Sequence, residues 1–574
     1  MCLQRHTIIC GRVSLPKTIM EELKNKNIFP LDIESVKRYG IANWQRDFFW
    51  PVSDEEYVAL SNDIESVWRA LIEHGQKNIS SILFHARGLR VDIQHYLHAV
   101  LVLERVKVRN FNPVCSKDTP WFSRLLLSQN ECADSEDIIS KRFLQQHSNR
   151  GQTLWKAVTD VKKRIRTMQC NSIKQLVASL RARKMACTFG APYGIVKDYI
   201  RRFPYWVSVT YPSDWTEDVA QPTFDPSLID ELYDIQTKFF EAIGEIAKKY
   251  SIPISQEAKQ YVLATTKRHL FDSARLLECV RSKSRARTID HFIVPNLRSS
   301  VPLAIALAVR EHGGKVTSFT HGGHVGLFRS PTMSMSELAL SDEFVMFSNG
   351  SCPLFEKIYE FKKPPFENKV TFVGARNTPQ LNLKKRMERK LEAQKERHSP
   401  QNVKTVMMVG FPYSSWRKAH PGSGLFWATR LDFELRMVQA LSELGYDVLY
   451  KAHPDREKEI EGIFNAHSTV VKGYVEDLLD TPDAFFFGAP RTTAISFALL
   501  TAKPIAICML KEERPYAFPE ALERLGKRCE IVPTWFDERN RIRFDERGLS
   551  NLFTENHKLT NTEYVDEYLF PRLI

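Results

Sequence analysis

The feature that most constrains the fold is a series of short apolar runs that alternate with helical patterns. Four runs, "DHFIVP", "KVTSFTH", "DEFVMFS" and "KVTFVG", are rich in β-branched and aromatic residues and fit buried strands. The segment "VPLAIALAVREHGG" between the first two fits a helix that ends in glycines. Because strands separated by helices of this length form βαβ units, the pattern predicts a parallel sheet.

A second series of the same kind follows. Its strand-like runs are "VKTVMMVGFP", "YDVLYKAHP", "STVVKG", "DAFFFGAP" and "IAICM", and its helical segments are "TRLDFELRMVQALSELG" and "TTAISFALLTAKP". The charged stretch "LKKRMERKLEAQKERHSPQN" separates the two series and fits a solvated helix or linker. We therefore expect two α/β domains that form a cleft, with ligands at the carboxyl ends of the strands.

The first half of the chain has another pattern. Residues 81–85 fit a short strand before a helix, whereas apolar spacings of three and four residues dominate 151–285 and indicate a helical insertion. The expected bounds are an N-terminal α/β part in 1–150, the helical insertion in 151–285, the rest of the first α/β domain in 286–380, a charged linker in 381–402, a second α/β domain in 403–545 and a C-terminal tail in 546–574.

Charge narrows the range of partners. The 81 Lys and Arg against 68 Asp and Glu leave a net charge of +13. This excess favours an anionic partner such as nucleic acid, anionic lipid or a phosphate-bearing substrate. The basic residues cluster in "VKKRIRTMQC", "SLRARK", "RSKSRAR" and "KKRMERKLEAQKER". No RNP-type aromatic motif or zinc-finger spacing accompanies them, so no nucleic-acid partner is expected.

Cysteine usage and hydropathy bear on location. The ten cysteines are scattered without a CxxC pair, which fits reduced thiols in the cytosol. The N-terminus lacks the long apolar core of a signal peptide. The most hydrophobic stretch, 483–510, is interrupted by Arg491, Lys503 and two prolines and does not fit a membrane span. We expect a cytoplasmic protein whose contact with an anionic membrane is peripheral.

The segment "TSFTHGGHVGLFRS", residues 317–330, combines two histidines with three glycines directly after a strand-like run. A histidine at a strand end titrates near neutrality, so His321 is a candidate general base for an acceptor hydroxyl. Gly322 and Gly323 would let the acceptor approach the backbone. The alternative is a glycine turn in which His321 and His324 are structural. The glycines disfavour a helix and no Asp, Glu or Cys joins them at ligand spacing, so no metal is expected.

Polar residues also follow a strand in "PRTTA". Arg491 adds a positive charge, and Thr492 and Thr493 add hydroxyl donors where a helix begins. The first N–H groups of a helix are unpaired and carry the positive end of its dipole, so this segment is a candidate phosphate site. The alternative is that Thr492 or Thr493 only caps the helix.

Two further strand ends carry candidates for the donor side. In "YKAHPD" a histidine could donate to a donor phosphate while the proline after it ends the strand, although a surface histidine before a turn is the alternative. In "GFPYSSW" a glycine and serine loop could approach a ligand through its backbone. The candidates are Lys451, His453 and Pro454 in the first segment and Gly410, Ser414 and Ser415 in the second.

In this order, the motifs resemble those of a known group of enzymes. The segment "HGGHVG", followed by Glu337 and "SDEFVMFS", is similar to the HGG-x-aromatic-G segment of bacterial surface-carbohydrate transferases of the capsule and lipopolysaccharide type. The segments "KAHP" and "PRTTA" resemble elements of GT-B transferases that use cytidine nucleotides, namely capsule Kdo transferases, bacterial sialyltransferases and teichoic-acid polymerases. Val325 stands where an aromatic residue is usual, and the Asp-Asp-Gly element of sialyltransferases has no clear counterpart. The resemblance covers about residues 290–510.

The resemblance implies a GT-B-like fold of two Rossmann-like domains, with the acceptor bound mainly by the first and the donor nucleotide by the second. It implies that His321 and Glu337 are catalytic and that His453 contacts the donor phosphate. It also implies that Thr492 and Thr493 occupy the phosphate-binding position. The acceptor-side loop would consist of Gly322, Gly323, His324 and Gly326.

With this resemblance, the favoured function is that of a metal-independent glycosyltransferase without a cofactor. It would move a sugar from a nucleotide-activated donor, with a cytidine nucleotide favoured, to a lipid-linked or polysaccharide acceptor. This reaction would belong to surface-carbohydrate biosynthesis at the inner face of the cytoplasmic membrane. A polyol-phosphate transferase of the CDP-glycerol type, a nucleotide-sugar epimerase and a non-catalytic binding protein remain open as alternatives.

Overall fold

The structure is a computed structural model with an α/β fold built on two large parallel sheets. It describes residues 27–114, 165, 169–216, 224–297, 299–320, 322, 327–329, 333, 337–361, 366, 368–385, 403–410, 427–454, 457–458, 460–553 and 561–571. The expected α/β class with two Rossmann-like units is therefore confirmed.

The described residues form the following strands and α-helices. In chain order the strands are β1 (Ile28–Pro30), β2 (Asn112–Val114), β3 (Ala186–Phe189), β4 (Val207–Thr210), β5 (His291–Val294), β6 (Lys315–Phe319), β7 (Glu343–Met346), β8 (Thr371–Gly374), β9 (Thr405–Val409), β10 (Asp447–Lys451), β11 (Thr469–Val471), β12 (Ala484–Phe487), β13 (Ile505–Leu510), β14 (Glu530–Phe536) and β15 (Ile542–Phe544). The α-helices are α1 (Ile33–Tyr39), α2 (Ile41–Asp47), α3 (Asp54–His74), α4 (Lys77–His85), α5 (Gly88–Val108), α6 (Ile173–Ala182), α7 (Gly194–Arg202), α8 (Ser213–Thr216), α9 (Pro226–Lys249), α10 (Gln256–Ser282), α11 (Ser284–Thr288), α12 (Ser300–Glu311), α13 (Cys352–Phe361), α14 (Trp427–Glu443), α15 (Ala494–Ala498), α16 (Pro519–Gly526) and α17 (Glu563–Tyr568).

The N-terminal part is mostly helical, with β1 and β2 paired as a small parallel sheet. The strand expected at 81–85 was wrong, because these residues end helix α4. Residues 79–85 of this helix are all buried. A helix that is buried on every side shows a continuous apolar run, and such a run has the same appearance as a buried strand.

The first large sheet has the strand order β4-β3-β5-β6-β7-β8, and all of its pairs are parallel. Strands β3 and β4 lie inside the span expected to be a helical insertion, so 151–285 is not wholly helical. Each has only four residues, which is too short to compete with the helical pattern around it. The two long helices of the span, α9 and α10, join β4 to β5. The domain bounds themselves remain predictions.

The second large sheet has the order β11-β10-β9-β12-β13-β14-β15. Its pairs are parallel except for the last, between β14 and β15. Counted from β9, the first six strands follow the Rossmann order 3-2-1-4-5-6. The strand order reverses between β9 and β12, which makes this the crevice where such sheets bind ligands.

Segments near the two ends of the described chain cross between the two halves of the molecule. On the N-terminal side, Trp44 stacks on Trp427 with ring centroids 6.3 Å apart, and Arg541 donates to the carbonyl of Gln45 at 2.8 Å. Helix α17 lies instead against the first sheet, where the Ser348 hydroxyl donates to the carbonyl of Glu567 at 2.6 Å. These reciprocal contacts tie each sheet to a segment from the opposite side of the chain.

Candidate functional site

The crevice of the second sheet is bordered by two glycines, Gly410 after β9 and Gly488 after β12. The Gly410 N–H donates to the carbonyl of Lys451 at 3.0 Å and so joins the ends of β9 and β10. A Cβ atom at Gly410 would lie closer than 3.0 Å to the hydroxyl of Tyr450. The absence of a side chain at Gly410 is therefore required for the close approach of Tyr450 to this strand end. Its contact with a ligand stays a prediction.

A buried polar network lies beneath this crevice. The side chain of Arg430 on α14 is buried and donates to the carbonyl of Gly488. The Tyr450 hydroxyl donates to the carboxylate of Glu434 at 2.7 Å, and its ring stacks on Phe464 at 3.7 Å. Buried charged groups need such partners because water is excluded from them. The network therefore holds both strand ends in one arrangement.

Sequence reasoning missed Arg430 and Glu434, which lie in the helical segment "TRLDFELRM". They were assigned to a helical segment, and the charged residues of a surface helix normally face water. Residues 427–435 of α14 are instead all buried, and Asp432 between the two is fully enclosed as the acceptor for Arg436 and Arg541. No local signal in the sequence distinguishes these buried charged residues from exposed ones.

The side chain of Lys451 is buried at the end of β10, and its ammonium group donates to the carbonyl of Ala452. Burial lowers the pKa of Lys451, while the carboxylates of Glu457 and Glu476 act in the opposite direction. The next candidates differ in exposure, since His453 is half-buried and Pro454 is exposed. Of Lys451, His453 and Pro454, only His453 therefore combines a titratable side chain with access to solvent.

The "PRTTA" segment reaches toward the other sheet through Arg491. Its Nε lies 3.4 Å from the carboxylate of Glu513, and its guanidinium lies 4.7 Å from the ring centroid of Phe328. Phe328 comes shortly after "HGGHVG". The structure therefore joins a predicted donor-side residue to the end of the predicted acceptor-side segment, a role for Phe328 that sequence reasoning missed.

The two threonines of this segment are half-buried. The Thr492 hydroxyl accepts from the N–H of Ala494 at 3.4 Å, whereas Thr493, at the N-cap of α15, makes no side-chain capping hydrogen bond. Helix α15 has five residues, whereas the sequence indicated a helix across the whole of "TTAISFALLTAKP". After the helix, the Thr501 hydroxyl accepts from the N–H of Lys503. This turn before Pro504 ends the helical segment. A helix this short contributes little dipole to an anion.

The carboxyl edges of the two sheets meet through main-chain hydrogen bonds. The N–H of Arg329 donates to the carbonyl of Tyr516 at 2.8 Å, and the N–H of Phe518 donates to that of Leu327 at 2.9 Å. Residues 327–329 follow β6, and residues 516–518 follow β13. The two predicted sides of the site are thereby in contact.

On the first sheet, Gly322 and Glu337 are both buried. The main-chain carbonyl of Glu337 accepts from Ser341 at 2.6 Å and from Ser318 on β6 at 3.3 Å. Glu337 is therefore fixed beside the strand that leads to the "HGG" segment. Six predicted site residues lie outside the described part of the chain: His321, Gly323, His324, Gly326, Ser414 and Ser415.

The first sheet also has a switch point, between β3 and β5. Gly190 follows β3 with φ of +75°, a conformation that favours glycine. Tyr193 in the same turn is 64% exposed. Sequence reasoning missed this turn because it assigned the surrounding span to helices. An exposed aromatic ring at a strand end is suited to contact with an apolar face of a ligand.

Two other kinds of feature are absent from the described residues. Among them, no three His, Cys, Asp or Glu side chains form a group that could hold a metal ion. Across the same residues, every helix is too short or too polar to cross a membrane.

No protein-family model matches this chain. No curated protein matches it significantly. Among solved structures, it is similar to UGT2 of Phytolacca americana in complex with UDP-2-fluoro-glucose and pterostilbene, at 11% identity over 67% of this chain and 94% of that one, with a TM-score of 0.34. It is also similar to Anabaena HepE in complex with UDP, at 11% identity over 67% of this chain and 96% of that one, with a TM-score of 0.32. At these scores the similarity carries no argument about function.

Proposed function

We propose that the protein is a glycosyltransferase that moves a sugar from a nucleotide-activated donor to an acceptor hydroxyl. The observation that supports this most is the meeting of the two carboxyl edges, where Arg491 contacts Phe328. Transfer between two substrates needs both to be held within reach of each other. Ligand-binding edges on two adjoining sheets meet that requirement.

The donor nucleotide would bind at the β9/β12 crevice. Gly410 and Gly488 end the two strands that border this crevice, and the buried guanidinium of Arg430, which donates to the carbonyl of Gly488, adds positive potential beneath it. His453 at the end of β10 would donate to a phosphate, with Arg491, Thr492 and Thr493 at the next strand end. The resemblance in sequence favours a cytidine nucleotide, and the reaction is proposed to be metal-independent.

The acceptor would bind at the end of β6, where His321 would take the proton of the attacking hydroxyl. An accepting nitrogen near neutral pH suits this task, and general-base catalysis contributes about 10²- to 10⁴-fold. Glu337 would orient the acceptor side of the site. A lipid-linked or glycan acceptor used in surface-carbohydrate synthesis, with the enzyme at the inner face of the membrane, completes the proposal.

Nucleotide binding tests the donor half of this proposal. The purified protein is titrated with CMP, CDP, UDP and GDP while its thermal unfolding is followed. A ligand at about 100 times its Kd adds about 2.7 kcal/mol of stability, which raises the melting temperature measurably. We expect one nucleotide to stabilise the protein, and a protein that responds to none of the four would contradict the proposal.

Product analysis tests the reaction itself. The preferred nucleotide sugar is incubated with and without lipid-linked or glycan acceptors, and the products are identified by mass spectrometry. A new glycosidic bond that depends on acceptor supports glycosyl transfer. A phosphodiester product would indicate a polyol-phosphate transferase, and an altered nucleotide sugar formed without acceptor would indicate an epimerase. Binding without turnover would indicate a binding protein.

A further inference from the structure

Helix α6 (Ile173–Ala182) exposes its apolar face, whereas a surface helix usually buries that face. Its apolar side chains recur every three or four residues, so they form one stripe along the helix. That stripe is exposed: Ile173 is 80% exposed and Leu180 is 72% exposed. Leu176 and Val177 between them are also exposed. The stripe therefore faces away from the protein.

The polar face of the same helix packs inward. The side-chain amide of Gln175 is buried and donates to the carbonyls of Ile200 at 3.0 Å and Phe203 at 2.6 Å. The Ser179 hydroxyl accepts from the N–H of Trp206 at 2.8 Å. These hydrogen bonds fix the orientation of α6, so its exposed stripe is a built feature of the fold.

Hydrogen bonds also fix the start of the helix beside the edge strand β4. The side chain of Asn171 donates to the carbonyl of Val207 and accepts from its N–H, both at 3.1 Å. Ser172 and Gln175 form a reciprocal capping box at the N-terminus of the helix. Val207 begins β4, so α6 lies at the amino edge of the first sheet, away from the carboxyl end of β6.

Along the chain, the charged residues that flank the stripe are all positive. Residues 161–197 contain nine Lys or Arg residues and neither Asp nor Glu. Within the described part of this span, Lys174, Arg181, Arg183 and Lys184 are all exposed on or next to α6. Basic side chains beside an apolar stripe are the pattern of a helix that lies in the interface of an anionic membrane.

We propose that α6 is a membrane-docking helix, which inserts Ile173, Leu176, Val177 and Leu180 among the acyl chains of an anionic bilayer. The flanking Lys and Arg side chains bind the lipid phosphates. Nucleic acid suits the charge but offers no place for the aliphatic stripe. A second copy of this chain would bring the same positive charges together, which is unfavourable. The anionic bilayer satisfies both the stripe and the charge.

This inference does not depend on the proposed reaction, and vesicle binding tests it separately. The full-length protein is floated with vesicles of phosphatidylcholine alone and of phosphatidylcholine mixed with phosphatidylglycerol. We expect binding to the anionic vesicles only, and weaker binding as salt screens the charges. The double variant Leu176→Glu/Leu180→Glu is expected to reduce binding by at least about tenfold, because it places carboxylates in the acyl region.

A matched control uses Val108→Glu at the end of α5. Val108 is 81% exposed and is flanked by Lys107 and Arg109, but it lies outside the apolar stripe of α6. This variant should bind vesicles as the wild type does.

A further variant, Lys174→Glu/Arg181→Glu, tests the contribution of charge. It leaves the stripe intact and, like Leu176→Glu/Leu180→Glu, should weaken binding to anionic vesicles.

Several outcomes would overturn the proposal. They are failure of the wild type to bind anionic vesicles, equal binding to neutral vesicles, and flotation of the Leu176→Glu/Leu180→Glu variant at the wild-type level. Light scattering is run in parallel. A wild-type dimer that becomes a monomer in this variant, with no lipid binding by either protein, would identify a second copy as the occupant. Circular dichroism checks that each variant is folded, as expected for substitutions at exposed positions.

Discussion

The carboxyl edges of the two large sheets carry different kinds of residues. At the edge of the second sheet, buried charged groups hold the strand ends: Arg430 donates to the carbonyl of Gly488, and Glu434 accepts from Tyr450. The edge of the first sheet presents the left-handed Gly190 and the exposed ring of Tyr193. The strand ends of the second sheet are thus held by buried charged groups, whereas the strand end at β3 of the first sheet exposes an aromatic ring.

The difference between the edges matches the two substrates of the proposed reaction. A nucleoside diphosphate is an anion, and charges and dipoles that the protein holds in place bind it without reorganisation of the site. An acceptor hydroxyl is neutral and needs a base together with open backbone. Variants that alter one edge at a time can therefore test this division of roles.

Histidine variants should separate the two edges most clearly. His321→Ala, after β6 of the first sheet, is expected to lower kcat by about 10²- to 10⁴-fold while nucleotide binding is retained, because only the base is lost. His453→Ala on the second sheet should instead weaken nucleotide binding, by about tenfold for one lost phosphate hydrogen bond. Steady-state kinetics and nucleotide titration measure the two effects.

His324→Ala serves as the control, since His324 belongs to the same sequence segment as His321 and is expected only to support it. It should leave most of the turnover intact. Full activity in both His321→Ala and His453→Ala would show that the site has been assigned wrongly.

Gly410→Ala tests the rigidity of the charged edge. The new methyl group would approach the Tyr450 hydroxyl closer than 3.0 Å, and Tyr450 is held by Glu434 and by Phe464. Overpacking of this kind costs about 1–3 kcal/mol, so chemical denaturation should show that loss together with weaker nucleotide binding.

Gly488→Ala is the matched variant on the neighbouring strand end. Its nearest contact, the Glu434 carboxylate, would lie at 3.2 Å, so a small shift of that side chain accommodates it. We expect a smaller loss of stability than for Gly410→Ala. Equal losses would mean that the Tyr450 network is not the rigid element.

Acid should destabilise the half of the molecule that contains the first sheet. Burial lowers the pKa of His291 on β5 to about 4, and the nearby Lys315 acts in the same direction. The unfolded chain therefore binds a proton below about pH 6.5 that the folded chain does not take up until about pH 4. The free energy of unfolding is therefore unaffected by His291 above about pH 6.5 and decreases as the pH falls toward about 4. At about pH 5 the loss is on the order of 2 kcal/mol.

Melting temperatures at neutral pH and at about pH 5 check this prediction. His291→Gln should reduce the acid-induced drop relative to the wild type, because glutamine does not titrate. His467→Gln, at an exposed position beside the second sheet, should leave the drop unchanged. An identical drop in wild type and His291→Gln would contradict the assignment.

The smallest effect is expected where the two edges meet. Arg491 lies 4.7 Å from the ring centroid of Phe328, a cation–π contact of about 0.5–1 kcal/mol when partly exposed. A double-mutant cycle of Arg491→Gln and Phe328→Leu, followed by denaturation, should give a coupling energy of that size. Additive effects of the two substitutions would show that the contact does not couple the sheets.

The strand pattern predicted much of the fold because local signals carry it. Every strand-like run between residues 290 and 510 corresponds to an observed strand. The prediction was wrong at 81–85, where burial on all sides of α4 removes the helical period. It also missed β3 and β4, whose four-residue lengths leave too little pattern to detect.

The candidate site was predicted in part for the same reason. Strand ends such as Gly410 and Lys451 are marked in the sequence by the strands before them. Arg430 and Glu434 are not, because nothing local distinguishes a charged residue that a helix buries from one that it exposes to water. The contact between Arg491 and Phe328 joins residues far apart in the chain, and no local pattern indicates it.

The sequence by itself determined the α/β class, the parallel strands and the excess of positive charge, because periodicity, strand length and composition are local properties of the chain. Only the tertiary structure decided the order of the strands, the burial of Arg430 and the outward orientation of α6. In each of these cases the outcome depends on which distant residues supply hydrogen bonds and exclude water. For α6, the partners of Gln175 and Ser179 turn the polar face inward and leave the apolar stripe exposed.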